Sequence, residues 1–331
     1  MAFRVLLTGA SGFLGHALVT DLVQLGFAVS GISRQPRTPK PGLTWIENDI
    51  EDVAQLDELV KAQDVVINGA AKTWNSSEIR CPESFFGINR DATVALFHAA
   101  ERAGARLFVQ ISSTGVFGPG VGVFDEISPC RPINLYEQSK FAAEIALSEA
   151  AKTSRMRLII VRPSNVFGEG HPRQKLLTWL RTVMCGRAVL ATNPTKYWTN
   201  YIYMGDVTRA IARIVSGSLQ QSEWPAQNLY HLNCPATTQQ FFEASQFGLG
   251  MTSKPYKLPG ALLFALGIAC EGASTIVGRQ LPMNRAKARE LTNRQVFGVN
   301  HIKNLFPEFP WFGLNTGMQK ICDEYRLKGL L

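Results

Sequence analysis

The feature that most constrains the fold is a glycine-rich segment directly after the first apolar run of the chain. Residues 3–7 have the composition of a short strand, and residues 8–15 follow with the spacing GxxGxxG. Glycines at this spacing permit a sharp turn, let a phosphate approach the backbone and let the next helix pack close to the strand. A helix N-terminus also favours an anion, because its N–H groups are unpaired. The segment therefore predicts a strand–turn–helix unit that binds the pyrophosphate of a dinucleotide, through Gly9, Ser11, Gly12, Phe13, Leu14 and Gly15.

The rest of the first half alternates apolar runs with helical patterns. Strand patterns occur at residues 28–32, 44–47, 65–70, 107–112 and 158–162, and helical patterns at 12–25, 53–61, 92–103 and 137–152. Strands that alternate with helices imply parallel βαβ units, and strands buried on both faces have continuous apolar runs such as these. We predict an α/β fold with a Rossmann-type doubly wound parallel sheet.

The pattern changes after Pro163, where segments rich in glycine and proline alternate with short helices. We assign residues 1–165 to a dinucleotide-binding domain, to which residues 199–234 return. Within that return, residues 201–203 are predicted to form a late strand of the main sheet. Residues 166–198 and 235–331 are predicted to form a smaller, discontinuous C-terminal substrate-binding region.

The charge and the cysteines exclude several functional classes. The net charge is +8, but the basic residues are scattered, and the sequence contains no recognisable nucleic-acid-binding module. The cysteines form no CxxC pair and the histidines have no ligand spacing, so no metal site is predicted. The thiols indicate a reducing compartment, and the N-terminus enters a strand without room for a signal peptide. We therefore expect a cytoplasmic protein.

One apolar segment, residues 258–270, is too short to cross a bilayer, which takes about 20 residues. It predicts a buried helix or a lid over an apolar pocket. Shallow contact with a membrane is the alternative.

The end of the second predicted strand bears on cofactor choice. NAD sites place an acidic residue there, whereas this chain has Ser33 and Arg34, with Arg37 and Lys40 nearby. A small serine leaves space and an arginine binds a 2′-phosphate through two parallel hydrogen bonds, so NADP(H) is favoured and NAD(H) is the alternative. Arg34 could instead stack on adenine or face solvent.

Further cofactor contacts are predicted at the ends of two other strands. They are Asp49 and Ile50, with a loop or capping role for Asp49 as the alternative, and Ala70 and Ala71.

Tyr136 and Lys140 form a YxxxK pair, which places both side chains on one face of a predicted helix. Lowering a tyrosine pKa from about 10 to about 7 takes about 4 kcal/mol. An ammonium about 4 Å away supplies about that much at an effective dielectric near 20. The phenolate then accepts a proton from an alcohol, or the phenol donates one to a ketone oxygen.

Ser113 follows another predicted strand. Its hydroxyl is predicted to donate a hydrogen bond to the substrate oxygen, with Ser112 and Thr114 as alternatives.

Together these segments resemble the extended short-chain dehydrogenase/reductase superfamily. The matching segments, in the family's order, are residues 8–15, Asp49 with Ile50, residues 112–118, Tyr136 with Lys140, residues 162–168 and residues 201–207. The resemblance implies that Ser113, Tyr136 and Lys140 are catalytic and that Lys140 also holds the nicotinamide ribose. It further implies nicotinamide contacts from Pro163, Asn165 and Val166, a candidate active-site role for Asn89 rather than a helix cap, and a homodimer formed through the helices at 92–103 and 137–152.

The substrate class divides into two branches. The favoured branch resembles 3β-hydroxysteroid dehydrogenases, dihydroflavonol-type reductases and sterol-processing dehydrogenases, because an apolar segment follows Leu258-Pro259. Aromatic residues that could wall an apolar pocket include Trp179, Tyr197, Trp198, Tyr201 and Phe264. This branch implies a ketone/alcohol oxidoreductase acting on a steroid-, flavonoid- or lipid-like molecule, with Ser113, Asn165 and Trp198 as candidate substrate contacts.

The alternative branch comprises nucleotide-sugar epimerases, dehydratases and 4-ketoreductases. Asn165 favours it, but Thr199 stands where such enzymes place a diphosphate-binding arginine. Lys196 or Arg173 could substitute. A third possibility is a non-catalytic NADP sensor, although such proteins generally lose the tyrosine or the lysine, and both are present here.

Overall fold

The computed structural model describes residues 2–73, 82–171, 175–220, 224–225, 228–277 and 283–331. Its first half alternates strands with helices, as the sequence predicts. The elements are β1 (Arg4–Thr8), α1 (Phe13–Gln24), β2 (Ala28–Ser33), β3 (Leu43–Glu47), α2 (Leu56–Leu59), β4 (Val65–Asn68), α3 (Pro82–Phe86), α4 (Thr93–Arg102), β5 (Leu107–Ile111), β6 (Val121–Phe124), α5 (Leu135–Ala151) and β7 (Arg157–Pro163).

The second half contains shorter strands between helices. They are β8 (Asn165–Phe167), α6 (Lys175–Met184), β9 (Val189–Ala191), β10 (Trp198–Tyr203), α7 (Met204–Gln220), β11 (Leu229–Leu232), β12 (Cys234–Thr237), α8 (Thr238–Leu249), β13 (Tyr256–Leu258), α9 (Gly260–Val277), α10 (Arg285–Leu291), β14 (Arg294–Phe297), α11 (Asn300–Leu305) and α12 (Gly313–Leu327).

In the described part of the chain, the main sheet is parallel and has the strand order β11-β7-β5-β4-β1-β2-β3. Successive strand residues face opposite sides of a sheet. In β1, Val5 and Leu7 therefore join a core with α1 and α7, whereas Leu6 joins a second core with α4 and α5. The predicted doubly wound fold is confirmed. The order reverses at β1, and ligands bind beyond the carboxyl ends of strands at such a switch point.

One prediction about the strands was wrong. Residues 201–203 do not return to the main sheet, because β11 occupies the edge beside β7, with Leu229 paired to Ile160. These residues lie in β10, which pairs with β8 and β12. The helical prediction for residues 53–61 is confirmed from Val53 to Leu59, as a 3-10 turn followed by α2, and Ala62 then has a φ of 59°.

The second half packs around separate apolar cores. One core joins Leu190 and Phe242 with Leu263 of α9, and another joins Leu180 with Ile321 of α12. The halves also share a sheet, because β14 pairs with β6 in register Arg294 to Val121.

The apolar segment 258–270 lies mostly within α9, and the prediction of a buried helix was wrong. Leu263 is buried, but Leu262, Leu266 and Ile268 are exposed. None of the helices formed by described residues is both long and apolar enough to cross a bilayer.

Candidate active site

The glycine-rich turn lies at the carboxyl end of β1. Gly9 has a φ of +69°, and a Cβ there would lie 2.7 Å from the backbone of Gly69. The Gly12 amide donates to the Gly9 carbonyl at 2.9 Å, and α1 then begins at Phe13. Because Gly12 has no side chain to cap the helix, the first N–H groups of α1 are left for a ligand. This backbone cradle fits a pyrophosphate.

Gly15 allows α1 to pack against this turn, and we expect Gly15→Ala to destabilise the protein. A Cβ at Gly15 would lie 2.1 Å from the Gly9 carbonyl oxygen and 2.8 Å from the Ala10 Cα. Overpacking usually costs about 1–3 kcal/mol, and contact with backbone places this change at the upper end of that range. Dinucleotide affinity should fall as well, because the turn must shift. Thermal unfolding and fluorescence titration measure the two effects.

Gly272→Ala is the matched control, because Gly272 is also helical but a Cβ there meets nothing within 4 Å. Replacing a helical glycine with alanine in open space should be neutral or stabilise by up to about 1 kcal/mol. Equal melting temperatures for the two variants would contradict the role given to Gly15.

A buried hydrogen-bond network supports the floor of this crevice. The Thr8 hydroxyl donates to the Asn68 Oδ1 at 2.5 Å, and the Ala70 amide donates to the Thr8 Oγ1 at 3.0 Å. The Asn68 amide donates in turn to Thr93 and Gln110. These bonds hold the segment after β4, which contains Ala70 and Ala71. The sequence analysis did not predict this supporting role of Thr8 and Asn68. The one indication in the sequence was that a polar residue follows the apolar residues of each strand.

At the end of β2, Ser33 is buried, and its Oγ accepts from the Arg37 Nε at 3.2 Å. Arg34 is exposed. Arg34 and Arg37 form a basic rim beside Ser33.

Asp49 and Ile50 are placed differently from each other. The Asp49 Oδ1 accepts from the Glu51 amide at 3.1 Å, which is the loop role that the sequence left open. Ile50 is buried in the core beside α4.

The YxxxK pair lies in the first two turns of α5. Asn134 caps this helix by accepting from the Glu137 amide at 3.0 Å, so Tyr136 is its second residue. Tyr136 is half-buried, whereas Lys140 is buried and its Nζ donates to the Ile111 carbonyl at 2.8 Å. This bond brings the lysine to the carboxyl end of β5. Burial lowers the pKa of Lys140 to about 8, opposed by the Glu144 charge, so the ammonium form predominates below that pH.

The three candidate hydroxyls after β5 differ in their accessibility. Ser113 is half-buried, and its Oγ accepts from the Gly115 amide at 3.0 Å. Ser112 and Thr114 are buried, and the Ser112 hydroxyl donates to the Glu144 carboxylate. Ser113 is therefore the most accessible of the three to a substrate.

Asn89 lies within a π-helical turn, Gly87–Ala92, so it is not a helix-start cap. It is buried, accepts from the Lys72 amide at 2.8 Å and donates to the Lys72 carbonyl at 3.1 Å. Its amide also donates to the Ser139 Oγ at 2.8 Å, and the Ser139 hydroxyl donates to the Tyr136 carbonyl at 2.8 Å. Asn89 thus ties the segment after β4 to the turn of α5 that contains Tyr136.

A buried ion pair lies behind this site, and sequence reasoning missed it. The Arg162 Nη2 lies 2.5 Å from the Glu144 Oε2, and both side chains are 5% exposed. The Arg162 guanidinium also lies over the Phe117 ring, 4.9 Å from its centroid. The pair joins α5 to β7, and Glu144, one turn beyond Lys140, also accepts from Ser112 just after β5.

The predicted nicotinamide segment passes from β7 into β8. Pro163 is buried, Val166 is half-buried and Asn165 is exposed, with its Nδ2 donating to the Asn200 carbonyl at 3.1 Å. In the neighbouring β10, Trp198 is half-buried and its amide donates to the Asn293 carbonyl at 2.8 Å.

The other predicted pocket-wall aromatics pack into cores. Trp179, Tyr197 and Phe264 contact one core, and Tyr201 stacks on Phe241 with ring centroids 4.9 Å apart. Among these aromatic residues, Trp198 belongs to none of the apolar cores formed by described residues.

Of the two cations that could bind a diphosphate in place of an arginine at position 199, only Lys196 lies in the described residues. The Thr199 hydroxyl donates to the Ala236 carbonyl at 3.1 Å, and Lys196 is exposed. Arg173 lies outside the described residues.

A switch-point crevice with a glycine cradle, a basic rim and a tyrosine–lysine pair defines a dinucleotide-binding protein of the short-chain dehydrogenase/reductase class. The chain belongs to the NAD dependent epimerase/dehydratase family, whose model matches residues 5–223. The resemblance drawn from the sequence motifs is thereby confirmed, and so is the prediction of an enzyme at the level of the family.

The relatives of this chain include proteins from both of the substrate classes that the sequence left open. The chain is 29% identical to dTDP-D-glucose 4,6-dehydratase of Mus musculus over 65% of each chain. It is 30% identical to N-acetyl-alpha-D-glucosaminyl-diphospho-ditrans,octacis-undecaprenol 4-epimerase of Escherichia coli O157:H7, over 63% of this chain and 62% of that one. It is also 32% identical to sterol-4-alpha-carboxylate 3-dehydrogenase, decarboxylating, of Dictyostelium discoideum, over 54% of this chain and 56% of that one. The matches therefore span less than two thirds of these relatives.

The fold is similar over the whole chain to a solved structure of UDP-glucuronic acid 4-epimerase from Bacillus cereus in complex with NAD. The TM-score is 0.71 at 17% identity, with 99% of each chain covered. At this identity the similarity concerns the fold alone.

Proposed function

We propose that the protein is an NADP(H)-dependent oxidoreductase that interconverts a ketone and a secondary alcohol on a largely apolar small molecule. The observation that carries this proposal is the position of Lys140, whose buried amine reaches the carboxyl end of β5 from the helix that also contains Tyr136. Lysine is rarely buried without a functional or paired role, and a buried amine beside a crevice is a functional-site candidate.

In this proposal, Tyr136 moves the proton. Its phenol donates to the ketone oxygen during reduction, and its phenolate accepts the proton during oxidation. The Lys140 ammonium stabilises the phenolate, and the Ser113 hydroxyl donates to the same substrate oxygen. Bound nicotinamide supplies or accepts the hydride. Asn89 positions Tyr136 through Ser139.

The proposed cofactor contacts follow the crevice from the glycine turn to β8. They are Gly9, Ser11, Gly12, Phe13, Leu14 and Gly15, then Ser33, Arg34, Asp49, Ile50, Ala70 and Ala71, and finally Lys140, Pro163, Asn165 and Val166. Asp49 and Ile50 have the weakest structural support, because one bonds its own loop and the other is buried.

We propose NADP(H) over NAD(H) because Ser33 and Arg34 stand at the end of β2, where NAD sites place an acidic residue, and because Arg37 donates to the Ser33 Oγ. The double variant Arg34→Ala/Arg37→Ala should weaken NADP⁺ binding by about tenfold or more, since a charge-assisted hydrogen bond contributes about 1.5–3 kcal/mol. NAD⁺ binding should change little. Titration of both cofactors measures this difference, and Arg102→Ala, an exposed arginine paired with Asp57, is the control. A wild-type preference for NAD⁺ would contradict the assignment.

The proposed substrate-binding region comprises residues 166–198 and 235–331, with Ser113, Asn165 and Trp198 as contacts. An apolar substrate is supported by the half-buried Trp198 and by Thr199, an uncharged residue at the position where the alternative branch needs a diphosphate-binding arginine. A diphosphate without such partners would be costly to bury. The sterol-processing relative also supports this branch.

The alternative function is a nucleotide-sugar epimerase, dehydratase or 4-ketoreductase. Exposed Asn165 supports it, because its amide is placed on a strand beside the proposed nicotinamide position. The dTDP-glucose dehydratase and lipid-linked sugar epimerase relatives also support it.

Thermal unfolding in saturating NADP⁺ separates these branches. Apolar cyclic ketones and alcohols are compared with UDP- and dTDP-sugars, and a ligand at 100 times its Kd adds about 2.7 kcal/mol of stability. We expect stabilisation and a change in nicotinamide absorbance with an apolar ligand. Stabilisation by sugar nucleotides alone would replace the proposal with the alternative. Cofactor binding without turnover of either class would support a sensor.

We also propose a cytoplasmic homodimer that forms through α4 and α5. Ile145 on α5 is an exposed apolar residue that suits such a contact. The free thiols of Cys130, Cys185 and Cys322 fit the reducing environment of the cytoplasm. Light scattering should give twice the mass of one chain, and a monomeric mass would contradict the dimer.

A further inference from the structure

The apolar helix α9 exposes one side to solvent. Leu262 is 45% exposed, Leu266 is 38% exposed and Ile268 is 58% exposed. Between Gly260 and Ser274, where side chains are described, the exposed positions are Ala261, Leu262, Ala265, Leu266, Ile268, Ala269 and Gly272. These positions lie on one broad face, and each of them is apolar. A contiguous apolar face of this kind marks an interaction surface rather than an ordinary protein exterior.

The opposite side of α9 fixes the direction in which this face points. Leu263 is fully buried, and a Cβ at Gly267 would lie 2.9 Å from the backbone of Asn284. The Arg285 Nε pairs with the Glu271 Oε2 at 2.5 Å. Because α9 packs on α10 through these residues, its exposed face cannot turn inward without breaking those contacts.

Exposed positive charge lies in the segments that flank α9. Lys254 and Lys257 precede the helix and are exposed, and Arg289 of α10 is exposed and acts on the Glu271 carboxylate. The charged residues between 254 and 290 are Lys254, Lys257, Arg279, Arg285, Lys287 and Arg289 against Glu271 and Glu290. This excess of cations complements an anionic surface.

We propose that the exposed face of α9, with its flanking cations, docks on the surface of a lipid bilayer that contains anionic lipids. Apolar side chains in the interfacial region and cations near anionic headgroups each contribute modest binding, and together they produce reversible attachment. A symmetric contact between two copies of α9 would bring the same cations together, so a bilayer fits the charge better. The proposal does not depend on the reaction or on its substrate.

Vesicle co-sedimentation of the full chain tests this proposal, with phosphatidylcholine vesicles that contain about one third phosphatidylglycerol. The apolar variant is Leu262→Ser/Leu266→Ser/Ile268→Ser, and the charge variant is Lys254→Gln/Lys257→Gln/Arg289→Gln. Val53→Ser/Ile127→Ser/Leu327→Ser is the matched control, because it removes three exposed apolar side chains from other elements. Melting temperature and dinucleotide binding verify that each variant is folded.

We expect wild type and the matched control to bind these vesicles, and the apolar variant to lose about tenfold or more in affinity. The charge variant and high salt should weaken binding as well, and vesicles of phosphatidylcholine alone should bind less. Absence of wild-type binding, or equal binding by the apolar variant, would overturn the proposal. A dimer in solution that only the apolar variant disrupts, without vesicle binding, would assign the face to a second copy instead.

Discussion

Replacing Tyr136 with phenylalanine should lower kcat by about 10²–10⁴-fold, the usual contribution of a positioned acid/base, and should leave dinucleotide affinity almost unchanged. The phenol is the group placed to exchange a proton, whereas the proposed cofactor contacts come from the glycine turn, β2 and Lys140. The half-buried ring of Tyr136 remains in the variant, so the packing of α5 is retained. Steady-state kinetics with the substrate identified by thermal unfolding, together with cofactor titration, measure both effects.

Tyr256→Phe is the matched control, because Tyr256 is 63% exposed on β13 and has no part in the proposed chemistry. It should retain wild-type kinetics. Full turnover in Tyr136→Phe would refute the proton-transfer role. A loss of dinucleotide affinity equal to the loss of kcat would instead indicate that Tyr136 acts in binding.

Arg162→Met should destabilise the protein by about 3–5 kcal/mol, because it leaves the buried Glu144 carboxylate without its cation. Both side chains are 5% exposed, so water cannot replace the lost partner. The double variant Glu144→Leu/Arg162→Met should be more stable than Arg162→Met, since it removes both charges together. Denaturant unfolding of wild type, both single variants and the double variant measures this coupling.

The exposed pair of Glu149 and Lys152 on the same helix provides the comparison. Its atoms are as close, at 2.5 Å, but its side chains are 71% and 68% exposed. Lys152→Ala should therefore change stability by less than about 1 kcal/mol. Similar losses in Lys152→Ala and Arg162→Met would show that burial does not control the strength of the Glu144–Arg162 pair.

Local sequence patterns were sufficient for the fold class and for the glycine turn. The spacing of Gly9, Gly12 and Gly15 requires only residues that are close in the chain, and the structure places them at β1 and α1 as expected. Period-two and period-3.6 patterns likewise depend on neighbours within one element, so most strands of the main sheet were predicted correctly.

Local patterns failed where competing partners decided the outcome. The sequence predicted residues 201–203 as the strand that returns to the main sheet and did not predict a strand at Leu229–Leu232. Packing instead assigned the edge of the main sheet to β11. The same applies to α9, because its residues 260–270 are apolar on all sides of the helix and do not tell which side is covered.

By itself, the sequence determined the doubly wound nucleotide-binding fold, the glycine turn between β1 and α1 and the placement of Tyr136 and Lys140 one turn apart on one helix. The tertiary structure alone decided that Asn89 joins Ser139, that Glu144 pairs with Arg162 and that Arg37 reaches Ser33. The physical reason is distance along the chain. Turn geometry and helical periodicity are set by adjacent residues, whereas a buried polar side chain selects its partner from whatever the packed elements bring within hydrogen-bonding reach.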